Sequence, residues 1–403
     1  MNAKRLTDHF WWVGTLDPGL QVFDIVMETD YGTSYNSYLL KGDERNVLFE
    51  TSKAAFADDY IKTIAAIVPF EEIDILVLDH TEPDHAGTVG KLLALNPALK
   101  VYATAGGLNL LKEIINQDVD GVAVKDGDTL DVGGRTLRFI TAPNLHWPDS
   151  MFTFIPEENI LVTCDAFGAH YSYENIVYDE GIDKEAHLEA ARYYFDSIMA
   201  PFKADVLKAV GKIEGLDPGV IATGHGPVLT GNPRFIVDLY REWAAVPANT
   251  EKLVVIPYVS AYGYTETLAE KIAEGIRAAG VRDVKLFDMV CSKTEDAVSE
   301  IEKADGFLLG TPTIVGEALP PIWDITSLLN ARVHGGRFAG AFGSYGWSGE
   351  GVPHIMERLK QLKLKVVGEG LRVRFKPTDE DLACAYEYGK VFGTAVVTGT
   401  LPE

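Results

Sequence analysis

Four side chains able to bind a metal, His80, Glu82, Asp84 and His85, fall within the six residues His80-Thr81-Glu82-Pro83-Asp84-His85. Neutral imidazoles and carboxylates are ligands of iron, zinc and manganese, and this much carboxylate suits a hard, redox-active cation better than a thiolate site would. The bland reading of the same residues is a charged surface turn. Three more ligand-type residues in similar settings weigh against it. His146 sits at the centre of the loop Ala142-Pro143-Asn144-Leu145-His146-Trp147-Pro148-Asp149-Ser150, Asp165 follows the apolar run Ile160-Leu161-Val162-Thr163-Cys164, and His225 follows Val220-Ile221-Ala222-Thr223-Gly224. A single loop histidine is more often structural or solvated, but several ligands delivered at strand ends stand where α/β layers place their chemistry.

The elements that must position these residues follow from the hydrophobic pattern. The run 73–79, Ile-Asp-Ile-Leu-Val-Leu-Asp, reads as a buried strand leading into the first cluster. Pro83 disfavours helix at Glu82, so the ligands are expected to splay over a turn rather than stack on one helical face. Before it, the chain reads as short strands with turns at 17–19 and 30–32, strands at 37–40 and 46–49, and a helix at 58–68 with Ile61, Ile64, Ala65 and Val68 on one face. After it come a helix at 88–95, a strand at 101–103, a helix at 108–115, and strands at 122–124, 130–132 and 136–140. That alternation implies layered sheets with helices outside.

A helical stretch ends near Ala245, and Val246-Pro247-Ala248-Asn249-Thr250 reads as a linker. The pattern then restarts with a strand at 252–256, the loop Ser260-Ala261-Tyr262-Gly263-Tyr264-Thr265 and a helix at 266–279. Strand, small hydroxyl-rich loop and helix together make a phosphate cradle from backbone N–H groups and the helix dipole. The loop is neither GxGxxG nor a Walker sequence, since no GKS or GKT occurs. Two later strands open onto loops of the same kind: 306–310 onto Thr311-Pro312-Thr313-Ile314-Val315-Gly316, and 340–343 onto Ser344-Tyr345-Gly346-Trp347-Ser348-Gly349. Strands at 284–287 and 364–367 complete a five-strand doubly wound sheet, and a last helix spans 379–397.

At 403 residues the chain is long enough for two or three domains, and 47% hydrophobic with 24% charged residues is ordinary globular composition. A formal charge of −23 argues against nucleic acid or an anionic membrane surface as partner. Cys164, Cys291 and Cys384 are scattered and odd in number, so neither a disulfide framework nor a thiolate cluster is expected, and a reducing cytoplasm fits best. No signal peptide or membrane span is expected.

His80, Glu82, Asp84, His85, His146, Asp165 and His225 together resemble the metal constellation of the metallo-β-lactamase fold. Zinc hydrolases of that fold carry HxHxDH; here Glu82 replaces the second histidine, which is the pattern of the flavodiiron proteins. An added carboxylate stabilises a ferric ion, where an imidazole suits hydrolytic zinc. The resemblance implies two irons, one held by His80, Glu82 and His146, the other by Asp84 and His225, with Asp165 bridging. His85 stays open, because family members differ on whether it binds metal. Tyr193, Tyr194 and His170 are candidates for outer or proton-delivery roles, with core packing an equal alternative.

The later loops resemble those of flavodoxin, which implies FMN bound by residues 260–265 (Ser260, Ala261, Tyr262, Gly263, Tyr264 and Thr265), by Pro312, Thr313, Ile314 and Val315, and by Ser344, Tyr345, Gly346, Trp347, Ser348 and Gly349. Tyr345 or Trp347 would flank the isoalloxazine, unless these aromatics simply cap the sheet. The fold expected is α/β: a metallo-β-lactamase-like αββα domain over 1–249 and a flavodoxin-like doubly wound parallel sheet over 251–403. One departure is Phe23-Asp24, in a segment that often carries a histidine in relatives and borders the substrate pocket. The family implies a cytoplasmic oxidoreductase that reduces O2 to water, nitric oxide to nitrous oxide, or both. Without an appended rubredoxin-like or reductase module, electrons would come from a separate donor such as rubredoxin or a reduced deazaflavin. A head-to-tail homodimer, or a dimer of dimers, would bring the FMN of one chain beside the irons of the other. The rival readings are a metal-dependent hydrolase with a flavodoxin passenger and a non-catalytic electron carrier.

Overall fold

The computed structural model describes residues 3–245 and 251–402. The expected linker at 246–250 lies outside the described residues. Backbone contacts divide the chain into two compact units, Met1–Val246 and Pro247–Glu403.

The first unit is built on two sheets. One has seven strands, and the four that make up one side of it, Asn46–Phe49, Ile73–Val77, Lys100–Thr104 and the edge strand Gly121–Val124, are parallel. Parallel neighbours need crossovers, and the helices Ala57–Ala65, Val89–Leu95 and Ala105–Ile115 supply them. The other sheet has six strands, from Thr129–Asp131 through Met151–Ile155, Ile160–Cys164 and Val220–Thr223 to Leu229–Thr230. Phe10, Tyr38, Val47, Val77, Phe139, Met151 and Val162 fill the space between the sheets. Tyr60, Ile64, Leu92 and Leu111 cover the outer face of the first sheet, and Ala191, Tyr194, Val206 and Tyr240 that of the second. The layering is αββα, as the alternating pattern implied.

Details of this unit differ from expectation. The helix expected at 58–68 stops at Ala65. Pro83 opens the short helix Pro83–Ala86, with Glu82 extended at its N-cap, φ −56° and ψ 146°. Proline restricts the residue before it but fits the first helical position, whose N–H is unpaired in any case. Asp84 and His85 therefore lie on a helical turn, while His80 and Glu82 precede it.

The second unit is a parallel sheet in the order Asp283–Asp288, Leu253–Tyr258, Gly306–Gly310, Phe338–Tyr345. Two short strands share the last edge, Lys365–Val366 and Leu371–Arg374, both parallel to Phe338–Tyr345. The single strand expected at 364–367 is thus divided, at Gly368-Glu369-Gly370, where both glycines have positive φ. The strand expected at 340–343 runs to Tyr345, which makes Ser344 and Tyr345 strand-end residues rather than loop. Helices cover both faces, over cores containing Ile322 and Ile355 on one side and Leu268 and Phe392 on the other. The order is that of a doubly wound fold whose carboxyl strand ends form the binding edge.

Candidate metal centre and flavin loops

Each ligand-type residue of the first unit reaches the site from a strand end or the turn beyond it. His80 and Glu82 follow Ile73–Val77, Asp165 follows Ile160–Cys164, and His225 follows Val220–Thr223. The His225 loop is pinned from below. Asn36 Nδ2 donates to the Thr223 and Gly226 carbonyls at 2.8 Å each, Trp12 Nε1 donates to Asn36 Oδ1 at 2.7 Å, and Tyr38 Oη donates to the Thr223 carbonyl at 2.6 Å. Gly224 is required here, because a Cβ would come within 2.8 Å of His85 Cε1.

The seven residues converge on two adjacent half-sites. In one, Glu82 Oε2 lies 3.2 Å from His80 Nε2 and 2.9 Å from His146 Nε2, and Asp165 Oδ2 lies 3.5 and 3.2 Å from the same two nitrogens. In the other, Asp84 Oδ2 lies 3.1 Å from His225 Nε2 and 3.4 Å from His85 Nε2, with Asp165 Oδ1 at 3.4 and 2.9 Å. Asp165 thus turns one oxygen to each half-site. His85, left open by the sequence, stands in the second with the geometry of the other three histidines.

The donor set fits cations. Both oxygens of Asp84 and Oδ2 of Asp165 are buried without a hydrogen-bond donor, and buried carboxylate oxygens are costly unless paired. Burial opposes a charged His225, yet the Asp165 and Asp84 carboxylates outweigh it and push the imidazole up to about 10. His146 is pushed up to about 9 against its burial by Asp165 and Glu82. Burial likewise opposes ionisation of Glu82, but the His146 and His80 hydrogen bonds hold it well below the usual range. The carboxylates draw positive charge into the site, which two metal ions would supply.

Outer partners fix the rings. Asp149 Oδ2 faces His80 Nδ1 at 3.3 Å and accepts from Thr81 N–H at 2.9 Å and Thr81 Oγ1 at 2.8 Å. The Ser34 carbonyl lies 2.6 Å from His225 Nδ1. His170 is buried, with Nδ1 2.9 Å from Thr33 Oγ1 and its ring against His225. Of the tyrosine candidates, Tyr193 is 45% exposed, whereas Tyr194 is buried with an unpartnered hydroxyl. Phe23, Asp24, Met27, Ile198 and Tyr194 join Glu82, His146, Asp165 and His225 around a cavity of about 10 Å³. Burial, then the Glu82 and Asp84 charges, raise the Asp24 carboxyl to about 6.

Asp149 stands in the same loop as His146, and neither it nor Thr33, Ser34 or Glu50 is among the expected site residues. The rule that found Asp165, an acid at the end of an apolar strand, also points to Glu50 after Asn46–Phe49.

In the second unit the three expected loops lie at the carboxyl ends of neighbouring strands. The first opens the helix Tyr264–Ala278, with Gly263 at φ +80°. The N–H groups of Tyr262, Gly263, Tyr264 and Thr265 find no acceptor among the described residues, the condition for an anion site at a helix N-terminus. Thr265 Oγ1 meets Ser344 Oγ at 3.0 Å, joining the first loop to the third. Thr313 N–H donates to the Ser344 carbonyl at 2.9 Å, joining the second to the third. Tyr262, Val315 and Trp347 are 82, 93 and 85% exposed, and Val315 has φ +56°. Phe375, not expected, borders the third loop: its N–H donates to the Tyr345 carbonyl at 2.8 Å.

A β-lactamase-type αββα unit with a carboxylate-rich paired metal site, followed by a flavodoxin-type sheet with free amides at its first loop, defines a two-domain metal and flavin protein. Residues 33–226 match the model of the ODP family of beta lactamases, and residues 256–389 match flavodoxin. A flavo-diiron protein of Clostridium acetobutylicum is 40% identical over 98% of this chain and 100% of its own length. A nitric oxide reductase of Moorella thermoacetica is 34% identical, covering 96% of each chain. Among solved structures, rubredoxin oxygen:oxidoreductase from Desulfovibrio gigas is 30% identical, with a TM-score of 0.65 over 98% of this chain and 99% of that one. The chain belongs to the flavodiiron protein family.

Proposed function

We propose that the chain is an oxidoreductase that reduces O2 to water, nitric oxide to nitrous oxide, or both. Residues up to 249 would form the di-iron domain and residues 251–403 the FMN domain. His80, Glu82 and His146 would hold one iron, Asp84, His225 and His85 the other, with Asp165 shared. FMN would lie on loops 260–265, 312–315 and 344–349. The observation that carries this reading is the Asp165 carboxylate, divided between two half-sites of which one contains Glu82.

When bound, the flavin supplies electrons and the two irons supply adjacent positions for diatomic substrates. The chain's own groups do the rest. Phe23, Met27 and Ile198 narrow the cavity to room for about one water molecule, which favours a diatomic over larger substrates and limits bulk water. Tyr194 Oη holds a hydroxyl proton at the cavity wall with no competing protein acceptor. Asp149 and the Ser34 carbonyl keep the Nε2 atoms of His80 and His225 turned inward.

The hydrolase reading is not favoured, since relatives include a nitric oxide reductase and a rubredoxin oxygen:oxidoreductase. We assign electron delivery to a separate donor, rubredoxin or a reduced deazaflavin, and active assembly to a head-to-tail homodimer or a dimer of such dimers. A cytoplasmic location is supported by three unpaired cysteines and by the lack, among the described residues, of a helix able to cross a membrane.

The test is metal and flavin content of anaerobically purified protein, followed by mixing of the reduced protein with O2 and with NO separately. About two irons and one FMN per chain, with flavin reoxidation by at least one gas, support the reading. Zinc in place of iron with hydrolysis of a thioester or lactam would return the hydrolase. A monomer of full activity would remove the dimer.

A further inference from the structure

One buried carboxylate beside the metal centre has no role in this scheme. Glu50 follows the strand Asn46–Phe49, is fully buried, and has φ +54°. A non-glycine residue keeps such a conformation when its surroundings fix it. Glu50 N–H donates to the Val77 carbonyl at 2.9 Å, and its own carbonyl accepts from Ser37 Oγ at 3.0 Å and Tyr60 Oη at 3.2 Å. Its Oε1 accepts from Asp79 N–H at 2.6 Å. The side chain is therefore anchored beneath the loop that carries His80 to His85. Its other oxygen, Oε2, has no partner.

His85 has a matching need. Its Nε2 faces Asp165 Oδ1 and Asp84 Oδ2, and its Nδ1 is buried and unpartnered. A ring nitrogen of His85, a carboxylate oxygen of Glu50 and Cys164 Sγ all lie within 4.8 Å of one another. His80 has Asp149 at its Nδ1, and His225 has the Ser34 carbonyl. An imidazole that donates one N–H to such an acceptor presents the lone pair of its other nitrogen to a metal.

We propose that Glu50 is the positioning residue for His85: Oε2 accepts from Nδ1–H and thereby turns the Nε2 lone pair to the second metal, beside Asp84 and His225. This rests on the paired-metal reading and adds why His85 belongs to it in this chain.

The test is anaerobic titration of the full-length, metal-free protein with Fe(II) and, separately, with Co(II), in wild type, Glu50→Gln, His85→Ala and the double variant. Glutamine keeps the shape and an oxygen for Asp79 N–H, but presents an amide donor to Nδ1. That favours the tautomer whose Nε2 carries a proton and cannot ligate. Second-site affinity should fall about 10–100-fold in Glu50→Gln, with the first site unchanged, and the double variant should bind no more weakly than His85→Ala. An intact first site also reports that the variant folds.

Histidine 15N shifts of the zinc-loaded wild type, assigned with His85→Ala, give a second reading that needs no change at Glu50. Nδ1–H with a metal-bound Nε2 is expected, and Nε2–H overturns the proposal. Wild-type affinity in Glu50→Gln also overturns it, because an amide could replace a proton shared by Glu50 Oε2 and the unpartnered Asp79 Oδ2. So does an undiminished loss in the His85→Ala background, which would make Glu50 a fold residue. A third tightly bound metal would overturn it as well, by giving Glu50, His85 and Cys164 a cation of their own. If the wild type prefers zinc and reduces neither gas, the di-iron reading fails, while the Co(II) titration still decides the Glu50 to His85 coupling.

Discussion

Asp165 Oδ1 lies 2.9 Å from His85 Nε2 while its Oδ2 is turned to the other half-site, so one fully buried carboxylate serves both. Removing it should damage both metal positions at once. Asp165→Ala is expected to lower the affinity for each of two metals by at least about 100-fold, beyond the loss typical of an outer partner. FMN content should be unchanged. Metal analysis of the variant checks this, and loss of only one metal would show that Asp165 belongs to a single half-site.

Asp149 isolates the first half-site. Burial works to raise its carboxyl, but the His80 and Thr81 hydrogen bonds outweigh it and hold it below the usual range. Asp149→Asn can point its amide donors at His80 Nδ1 and favour the wrong tautomer. The expected result is about 10–100-fold weaker binding of the first metal only, read by stepwise metal titration.

Much of this was legible in the sequence, for identifiable reasons. Strand-end ligands could be found because apolar runs such as Ile160–Cys164 are short, continuous and followed at once by a polar side chain. Seven residues from four separate stretches could be gathered by resemblance, though the arrangement of His85 needed coordinates. Pro83 misled because one residue carries two opposed rules: it bars helix before itself and starts one with itself. Ser344 and Tyr345 look like loop in the sequence because they begin a stretch of glycine and hydroxyl residues, yet pairing with Val373 and Arg374 extends the strand through them. The helices Lys184–Tyr194 and Lys203–Lys212 are not among the expected elements, although Asp183 accepts from Glu185 and Ala186 N–H as an N-cap. Outer contacts such as Ser34 to His225 had no signal at all, because a backbone carbonyl leaves no mark on residue type.

Tyr194 separates reactivity from binding. Its hydroxyl is buried at the cavity wall and satisfies no protein group, so Tyr194→Phe deletes a polar atom whose burial costs about 1–3 kcal/mol. The melting temperature should not fall, and iron and FMN contents should match wild type. Consumption of the physiological gas should slow by about 100-fold, the lower end of general-acid contributions. An unaltered rate in an intact variant would remove Tyr194 from the chemistry.

Thr265 links two flavin loops through Ser344 Oγ in a buried contact. Thr265→Val keeps the side-chain shape and leaves the Ser344 hydroxyl without that partner. A hydrogen bond of this kind contributes about 0.5–1.5 kcal/mol, so FMN should bind up to about 10-fold more weakly, while both metals stay. Fluorescence titration of flavin-free protein checks the first part and metal analysis the second.

His187 gives the first unit a pH dependence separate from the metals. It is buried between Tyr171 and Tyr178, with ring centroids 5.6 and 5.0 Å away and no hydrogen-bond partner at Nδ1. Burial lowers its pKa from 6.5 to about 4. The unfolded chain therefore binds a proton between pH 6.5 and pH 4 that the folded chain refuses, and stability must fall as pH falls through that window. The whole effect is about 3 kcal/mol, of which about 2 kcal/mol is lost by pH 5. His187→Phe keeps an aromatic ring against both tyrosines and cannot take up a proton. Urea unfolding of the metal-free proteins at pH 7 and pH 5 should show the wild type losing about 2 kcal/mol more than the variant. Equal losses would mean that the acid sensitivity of this unit comes from other groups.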